Sequence, residues 1–500
     1  MQLLKLLRDD FEVKGNLDIE ISSVHYNSKE VKPNCLFIAI AGQNIDGHEF
    51  IDEAIKNGAC AVVYEKARYK PESIKDVTWI GVDNSRDALA WISNRFYGCP
   101  SNKLNVIGIT GTNGKTTTSY LIREILKQYG KKTGVIGTIR YLIEDKEIKA
   151  QHTTPESLQF QQLLRTMLDN EVEYVISEVS SHALSLKRVD YTEFKIAVFT
   201  NLSRDHLDFH KDMEDYFQAK KRLFTELLAK DGTAIINFDD EYGRRLASEF
   251  KGKKILYSLE NSDADLYVKD FKLTFKGTEL QIVIKNPETF AISSNVISIK
   301  TPLLGIPNIY NTLSALSVAM ALNVPIQTIQ SALAGAKAPD GRFENIDEGQ
   351  QFLVFVDYAH TPDALERLLL SVRNLREKLS QTGRIITIFG CGGNRDKGKR
   401  PLMGKIATEL SDFVIITSDN PRWEEPREII RDIEEGISRD NFIVVPDRKD
   451  ALQMGVMMCE KGDILIVAGK GHEDYQEIKG KRNPFSDRDV LKNILKGLKR

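Results

Sequence analysis

One segment of the chain has the residue types to bind a polyphosphate. The apolar run Val106-Ile107-Gly108-Ile109-Thr110 feeds directly into Gly111-Thr112-Asn113-Gly114-Lys115-Thr116-Thr117-Thr118, and the helical pattern Tyr120-Leu121-Ile122-Arg123-Glu124-Ile125-Leu126 follows. A strand, a glycine loop and a helix start in that order make an anion cradle. Glycines let backbone N–H groups turn onto phosphate oxygens, Lys115 offsets the charge of the β and γ phosphates, and the Thr116 hydroxyl can hold Mg²⁺. Two residues rather than four separate Gly111 from Gly114, so the loop is shorter than the standard Walker A pattern. An ordinary Gly-rich turn has the same outline, but a lysine and a threonine at the helix start serve no obvious packing purpose. Further on, Tyr174-Val175-Ile176-Ser177-Glu178-Val179-Ser180-Ser181-His182 ends an apolar run in a carboxylate. Parallel sheets bind ligands at the carboxyl ends of their strands, so Glu178 is expected in the same crevice. The run Ile196 to Thr200 then opens into Asn201-Leu202-Ser203-Arg204-Asp205-His206-Leu207-Asp208-Phe209-His210, a dense polar cluster. Magnesium prefers oxygen, so a histidine there would be a minority ligand beside carboxylates and phosphate. A solvated loop with helix-capping aspartates is the alternative reading.

The elements that must position these residues alternate. From Asn105 on, the apolar runs Val106 to Thr110, Thr133 to Ile139, Tyr174 to Glu178 and Ile196 to Thr200 are separated by amphipathic segments, which predicts a parallel sheet with helices on its faces. Residues 264–301 interrupt this with alternating strands that predict an antiparallel appendage. A second doubly wound unit follows, from Phe352 to Val356 through Arg384 to Phe389, Phe413 to Thr417, Phe442 to Val445 and Ile464 to Val467. Ahead of both, residues 1–100 mix short strand-like runs, among them Cys35 to Ile40 and Cys60 to Tyr64, with turns and a helical stretch. Tyr97-Gly98-Cys99-Pro100-Ser101 reads as a linker. The expected architecture is α/β in three domains: 1–100, a small α/β domain; 101–337, a P-loop-type doubly wound sheet with its appendage; and 338–500, a Rossmann-like domain. A chain of 500 residues that is 41% apolar can bury about three cores.

The bulk numbers narrow the class. With 69 basic and 71 acidic residues the net charge is −2, so nothing points to a nucleic-acid or membrane-surface partner, and any anion must be met locally. Met1 to Leu7 is too short for a secretion signal, and no apolar run approaches the roughly 18 residues a membrane span needs. A cytoplasmic location is therefore expected. The five cysteines, Cys35, Cys60, Cys99, Cys391 and Cys459, lack metal-ligand spacing and read as reduced packing residues.

In order and spacing, Thr110 to Thr117, Glu178 to His182 and Asn201 to Asp208 resemble the Mur ligase family, and the resemblance covers essentially the whole chain. It implies an ATP-dependent amide-bond ligase that adds an amino acid to the nucleotide-linked peptide precursor of the bacterial cell wall. Gly111, Thr112, Asn113, Gly114, Lys115, Thr116 and Thr117 would cradle ATP. Thr116 and Glu178 would hold one Mg²⁺ and His206 another, with a carbamylated Lys220 completing the shell. Lys220 lies in Gln218-Ala219-Lys220-Lys221-Arg222-Leu223-Phe224, and composition alone reads it as a solvated helix lysine with Lys221 as the neighbouring register. A neutral lysine that takes up CO₂ becomes an extended carboxylate, an oxygen ligand that Mg²⁺ favours. Asn308, in Gly305-Ile306-Pro307-Asn308-Ile309-Tyr310-Asn311, matches a residue lying against adenine, though Asn308 and Asn311 could equally be turn and cap residues. Arg342 and Asp357, from Gly341-Arg342-Phe343-Glu344 and Asp357-Tyr358-Ala359-His360-Thr361-Pro362, match elements that close on the nucleotide. Arg342 would supply charge to the transferring phosphate.

The same resemblance implies two further substrates. Ser28, in Val24-His25-Tyr26-Asn27-Ser28, together with Asp46, Gly47 and His48, in Gly42-Gln43-Asn44-Ile45-Asp46-Gly47-His48, would hold a uridine diphosphate. The family's Asp-Ser-Arg appears here as Asn27-Ser28-Lys29, and Asp46-Gly47 also suits a plain turn. His152, Thr153 and Thr154, with Ser180 and Arg188, would contact the sugar and peptide. Ser418-Asp419-Asn420-Pro421-Arg422 matches the signature of members that add diaminopimelate rather than lysine. A distal carboxylate can be gripped by Arg422 through paired hydrogen bonds, whereas lysine would leave that arginine unpaired. Asp419, Asn420, Pro421, Arg422, Arg395, Gly469 and Glu473 would form the amino-acid pocket, although Asp-Asn-Pro-Arg is also turn chemistry. The expected protein is a monomer acting on small molecules: meso-diaminopimelate in the first place, then lanthionine or L-lysine. The alternatives are a folylpolyglutamate synthase-like ligase, which would lack residues 1–100 and the Asp-Asn-Pro-Arg segment, and a non-catalytic nucleotide-binding scaffold.

Overall fold

The computed structural model describes residues 1–42, 45–71, 77–290, 293–380 and 382–498. Two compact units emerge, one of Met1–Tyr257 with Leu316–Val324, the other of Ser258–Ala315 with Pro325–Arg500.

In the first unit the N-terminal strands run in the order Glu12–Lys14, Thr78–Val82, Ala59–Glu65, Cys35–Ile38, Ser23–His25, all parallel except the first. Cys35–Ile38 and Thr78–Val82 are buried at every residue because side chains pack on both faces of this sheet. Their apolar character is therefore continuous rather than alternating. The second sheet of this unit runs Lys253–Ser258, Leu228–Asn237, Phe194–Phe199, Asn105–Thr110, Tyr174–Glu178, Thr133–Ile136 in parallel. It closes with the antiparallel pair Arg140–Ile143 and Lys146–Lys149. Helix Lys115–Gln128 lays Leu121, Ile122, Ile125 and Leu126 into the core.

The expected linker at Tyr97 to Ser101 is instead a packed joint. Cys99 turns the chain in the left-handed region (φ +51°), Pro100 and Ser101 are buried, and the Ser101 hydroxyl accepts from the Glu193 N–H at 3.2 Å. Asn94 donates to the Tyr191 carbonyl at 3.0 Å, and Asp87 meets Arg8 at 2.8 Å and Lys187 at 3.1 Å. The Gly and Pro that read as a linker serve a tight turn whose polar groups are satisfied across the joint.

The second unit holds the antiparallel strands Leu266–Thr274, Gly277–Ile284 and Val296–Thr301, the appendage expected from their alternation. Its main sheet runs Glu344–Asn345, Leu353–Asp357, Ile464–Ala468, Ile385–Phe389, Phe413–Ile416, Phe442–Val444, parallel after the first pair. A hairpin, Tyr475–Ile478 with Lys481–Pro484, follows the central strand. Among the described residues no helix is long and apolar enough to cross a membrane.

Candidate active site

Strand Asn105–Thr110 lies between Tyr174–Glu178 and Phe194–Phe199, so the loops leaving all three strands converge. Gly111 has φ +148°, and a Cβ there would sit 1.9 Å from Thr200 Oγ1; only glycine permits this approach. The loop is held by its neighbour: Thr112 N–H donates to the Asn201 carbonyl (2.9 Å), Asn113 N–H to Asn201 Oδ1 (3.0 Å), and Thr200 Oγ1 to the Asn113 carbonyl (2.7 Å). Lys115, at the start of its helix, folds its Nζ onto the carbonyls of Gly111 (2.8 Å) and Thr112 (3.0 Å).

Glu178 is fully buried. Its Oε2 accepts from the hydroxyls of Thr116 and Thr138 at 2.9 Å each, and its Oε1 from the Thr138 N–H at 3.0 Å. Lys220, on helix Met213–Thr225, is only 1% exposed; its Nζ donates to the Gly111 carbonyl at 2.9 Å and lies 4.6 Å over the Tyr216 ring. Burial, with help from the Lys115 charge, pushes its amine well below the ordinary lysine range. The solvated-lysine reading of this position is thus overturned. Lys221 is the surface residue of the two, paired with Glu249 at 2.6 Å. His206 sits in the left-handed region (φ +53°) with its ring 4.9 Å from that of His182. Partial desolvation lowers both imidazoles, His182 to about 4, so both favour the neutral form that can donate a lone pair.

The 152–156 loop is tied to this strand end. Buried Thr154 donates to the Glu178 carbonyl (2.8 Å) and accepts from the Ser180 N–H (3.1 Å), while Thr153 and Thr138 hydroxyls meet at 3.1 Å. Ser180 caps helix Ser181–Ser185, and Arg188 donates to the Thr154 carbonyl at 3.1 Å. Glu156 is bracketed by Arg188 (3.5 Å) and Arg86 (3.2 Å), the latter from the N-terminal part, whose Tyr26 reaches Gln159 at 3.0 Å. His152 enters only through its backbone, whose carbonyl accepts from the Tyr141 hydroxyl at 2.8 Å.

The other proposed uridine contacts have structural duties. Ser28 donates to Glu53 at 2.7 Å. Asp46 caps the turn through the His48 N–H (3.1 Å) and contacts His48 Nδ1 (2.6 Å), while His48 Nε2 accepts from the Glu65 N–H (2.9 Å), so both ring nitrogens are occupied. Gly47 passes so close to Ile40 that a Cβ would meet its backbone at 2.7 Å. Gln43 and Asn44 lie outside the described residues.

In the second unit, Asp357 ends its strand half-buried, accepting from the N–H groups of Phe343 (2.7 Å) and Ala359 (2.8 Å). Burial raises its carboxyl, opposed by the Arg342 charge. Arg342 lies 5.0 Å over the Tyr358 ring. Asn308 is buried, donating to the Leu304 carbonyl (2.9 Å) and accepting from Asn311 (3.0 Å), a turn-building role at the start of helix Ile306–Ala321. The Asp-Asn-Pro-Arg loop, the 391–395 loop and the 469–473 loop come together. Arg422, at φ +53°, donates through Nη1 to the Gly393 carbonyl (2.8 Å) and lies 3.6 Å from Glu477. Asn420 donates to Glu473 (2.8 Å), Gly469 passes close enough that a Cβ would lie 3.0 Å from Asp419 Oδ2, and a Cβ on Gly393 would meet the Pro421 carbonyl at 2.0 Å. Arg395 is exposed on its loop.

Family models described as Mur ligase family, catalytic domain, as Mur ligase middle domain and as Mur ligase, glutamate ligase domain match residues 20–97, 109–319 and 341–471. A UDP-N-acetylmuramoyl-L-alanyl-D-glutamate--2,6-diaminopimelate ligase from Caldanaerobacter subterraneus is 44% identical over 500 residues, covering 99% of each chain. The chain belongs to the Mur ligase family. A ligase of the same name from Aquifex aeolicus is 46% identical, covering 95% of this chain and 94% of its own. A solved structure of a Mur ligase with that name matches with a TM-score of 0.72 at 30% identity, covering 100% of this chain and 99% of the other.

Three residues of this Mur ligase escaped sequence reasoning. Thr138 holds both oxygens of Glu178, and a Cβ on Gly137 would lie 2.3 Å from Glu178 Oε1, yet Gly137-Thr138 forms no motif. Arg448, fully buried, pairs with Asp487 at 2.7 Å and donates to the carbonyls of Ser418 (3.3 Å) and Ala468 (3.1 Å), the residues that lead into two of the pocket loops. Lys470, also fully buried, binds Asn420 and Glu473.

Proposed function

We propose that this chain is an ATP-dependent ligase joining meso-2,6-diaminopimelate to the D-glutamyl carboxylate of UDP-N-acetylmuramoyl-L-alanyl-D-glutamate, a step of peptidoglycan precursor synthesis. The observation that carries this reading is the meeting of the phosphate loop, the buried carboxylate of Glu178 and the buried amine of Lys220 at one set of strand ends. The carboxylate attacks the γ-phosphorus of ATP, the bond to the β-phosphate oxygen breaks, and an acyl phosphate and ADP form. The amine of the amino acid then attacks the acyl carbon; phosphate leaves and the amine gives up a proton. Lys115 and the backbone N–H groups at the start of helix Lys115–Gln128 would stabilise the charge on the β and γ phosphates, with Arg342 as a second cation for the transferring group.

The donors suit magnesium. Glu178 and the Thr116 hydroxyl present oxygen at 2.9 Å from each other, and His206 offers a neutral nitrogen. A neutral Lys220 amine is the form that adds CO₂, and as a carbamate it would supply a further oxygen ligand in place of its present bond to Gly111. Bound Mg²⁺ would offset the charge of the two anions brought together. Residues 1–100 are read as the uridine-substrate domain, 101–337 as the ATP domain and 338–500 as the amino-acid domain.

Arg422 and Glu473 favour an amino acid with both a carboxylate and an ammonium at its distal end, which ranks meso-diaminopimelate and lanthionine above L-lysine. Phosphate release should require ATP, the muramoyl dipeptide and the diamine together, and Lys115→Ala should abolish it. Turnover of the variant at the wild-type rate would refute the reading. A competition assay among the three amino acids fixes the last substrate.

A further inference from the structure

Lys470 follows strand Ile464–Ala468 between two glycines held at positive φ, Gly469 at +113° and Gly471 at +51°, so its backbone is steered sharply inward. Its side chain is fully buried, 5.6 Å over the Tyr475 ring. Nζ has two side-chain acceptors, Asn420 Oδ1 at 3.2 Å and Glu473 Oε2 at 3.1 Å, and Asn420 Nδ2 reaches the same Glu473 oxygen at 2.8 Å. The three side chains form a closed triangle. Among the described residues every hydrogen bond to the Glu473 side chain falls on Oε2, which leaves Oε1 for a ligand. An ammonium buried this completely is held only with a counter-charge, and a buried ion pair of this kind fixes geometry more than it adds stability.

We propose that Lys470 is the positioning residue for amino-acid selection. It orients Asn420 and Glu473 so that Oε1 alone is offered to the distal ammonium of the incoming diamine. Its Nζ also opposes the charge of Glu473 at 3.1 Å. An ammonium with no carboxylate beside it, as in L-lysine, then gains little from Glu473, whereas a zwitterionic distal end gains from Arg422 as well. This rests on the diamine-ligase reading above.

The test is steady-state kinetics of Lys470→Met with meso-diaminopimelate and L-lysine, beside hydroxylamine trapping of the acyl phosphate. Removing a charge-assisted bond of this kind should raise KM for meso-diaminopimelate by about tenfold or more and lower the preference over L-lysine by a similar factor. The trapped hydroxamate and kcat at saturation should stay within about twofold of wild type. An unchanged KM and an unchanged preference would overturn the proposal; absence of any preference in the wild type would overturn the underlying reading instead. If Lys470→Met does not fold, Glu473→Gln is compared with the double variant Lys470→Met/Glu473→Gln, which removes both charges together. Equal KM values support action through Glu473, and a further tenfold rise in the double variant refutes it.

Discussion

The most deeply buried cations are treated differently in the two units of the molecule. In the C-terminal unit Arg448 meets Asp487 at 2.7 Å, Arg400 meets Glu424 at 2.9 Å and Asp432 at 2.7 Å, and Lys470 meets Glu473 at 3.1 Å. In the other unit Lys220 is buried as deeply, yet it has a backbone carbonyl and the face of Tyr216 in place of a carboxylate. A paired cation keeps its charge and sets the separation of the elements it bridges. One without a carboxylate partner is pushed toward the neutral, nucleophilic amine. The first arrangement suits a pocket that must discriminate by geometry. The second suits the carbamate proposed for Lys220.

The largest effect should come from the unpaired side. Lys220→Gln should lower phosphate release by about 10²–10³-fold, the scale of losing one preorganised charge-stabilising group, while Lys221→Gln stays near wild type. Equal losses at the two positions would erase the contrast. Next comes Arg448→Met, which strands Asp487 as a buried charge and should cost about 3–5 kcal/mol in denaturant unfolding. Arg448→Met/Asp487→Leu should recover most of that loss. A single-variant cost under about 1 kcal/mol would show that the pair does not hold the loops.

The difference between the units also explains what the sequence reveals. The phosphate loop is legible because strand, glycines, lysine and helix are contiguous from Val106 to Leu126, and local chemistry dictates them. Lys220 was legible in principle: Tyr216, Phe217, Leu223 and Phe224 flank it at three- and four-residue spacing and mark the buried face of its helix. A compositional reading overlooks that spacing. Thr138 and Glu178 are 40 residues apart, and Arg448 and Asp487 are 39 apart, so only the tertiary fold unites them. His48 shows the converse, a polar side chain in a motif whose two nitrogens are both engaged by the fold.

A smaller effect tests whether the paired side discriminates. Arg422→Ala should reduce the preference for meso-diaminopimelate over L-lysine by about 10–100-fold, measured as the ratio of kcat/KM values. Most of that change should come from slower use of the diacid. Faster use of L-lysine with unchanged use of the diacid would move the discriminating role to Glu473 and Lys470.

The smallest effect is a pH response. Glu424 accepts from Arg400 and from the Asn394 N–H at 2.5 Å, which joins the Arg422 loop to the Arg395 loop. The Arg400 hydrogen bond, against a desolvation cost, holds its carboxyl at about 2 rather than 4.5. Because the folded value is the lower one, the contribution of Glu424 is complete above pH 4.5 and is lost as pH falls toward about 2. Hydrogen-exchange protection of the Asn394 and Trp423 amides should therefore decline from pH 5 to 3 in the wild type. In Glu424→Gln it should be lower at neutral pH and lack that acid step. An equal decline in both proteins would mean that other groups join the two loops, since a glutamine cannot lose a charge that Arg400 was holding in place.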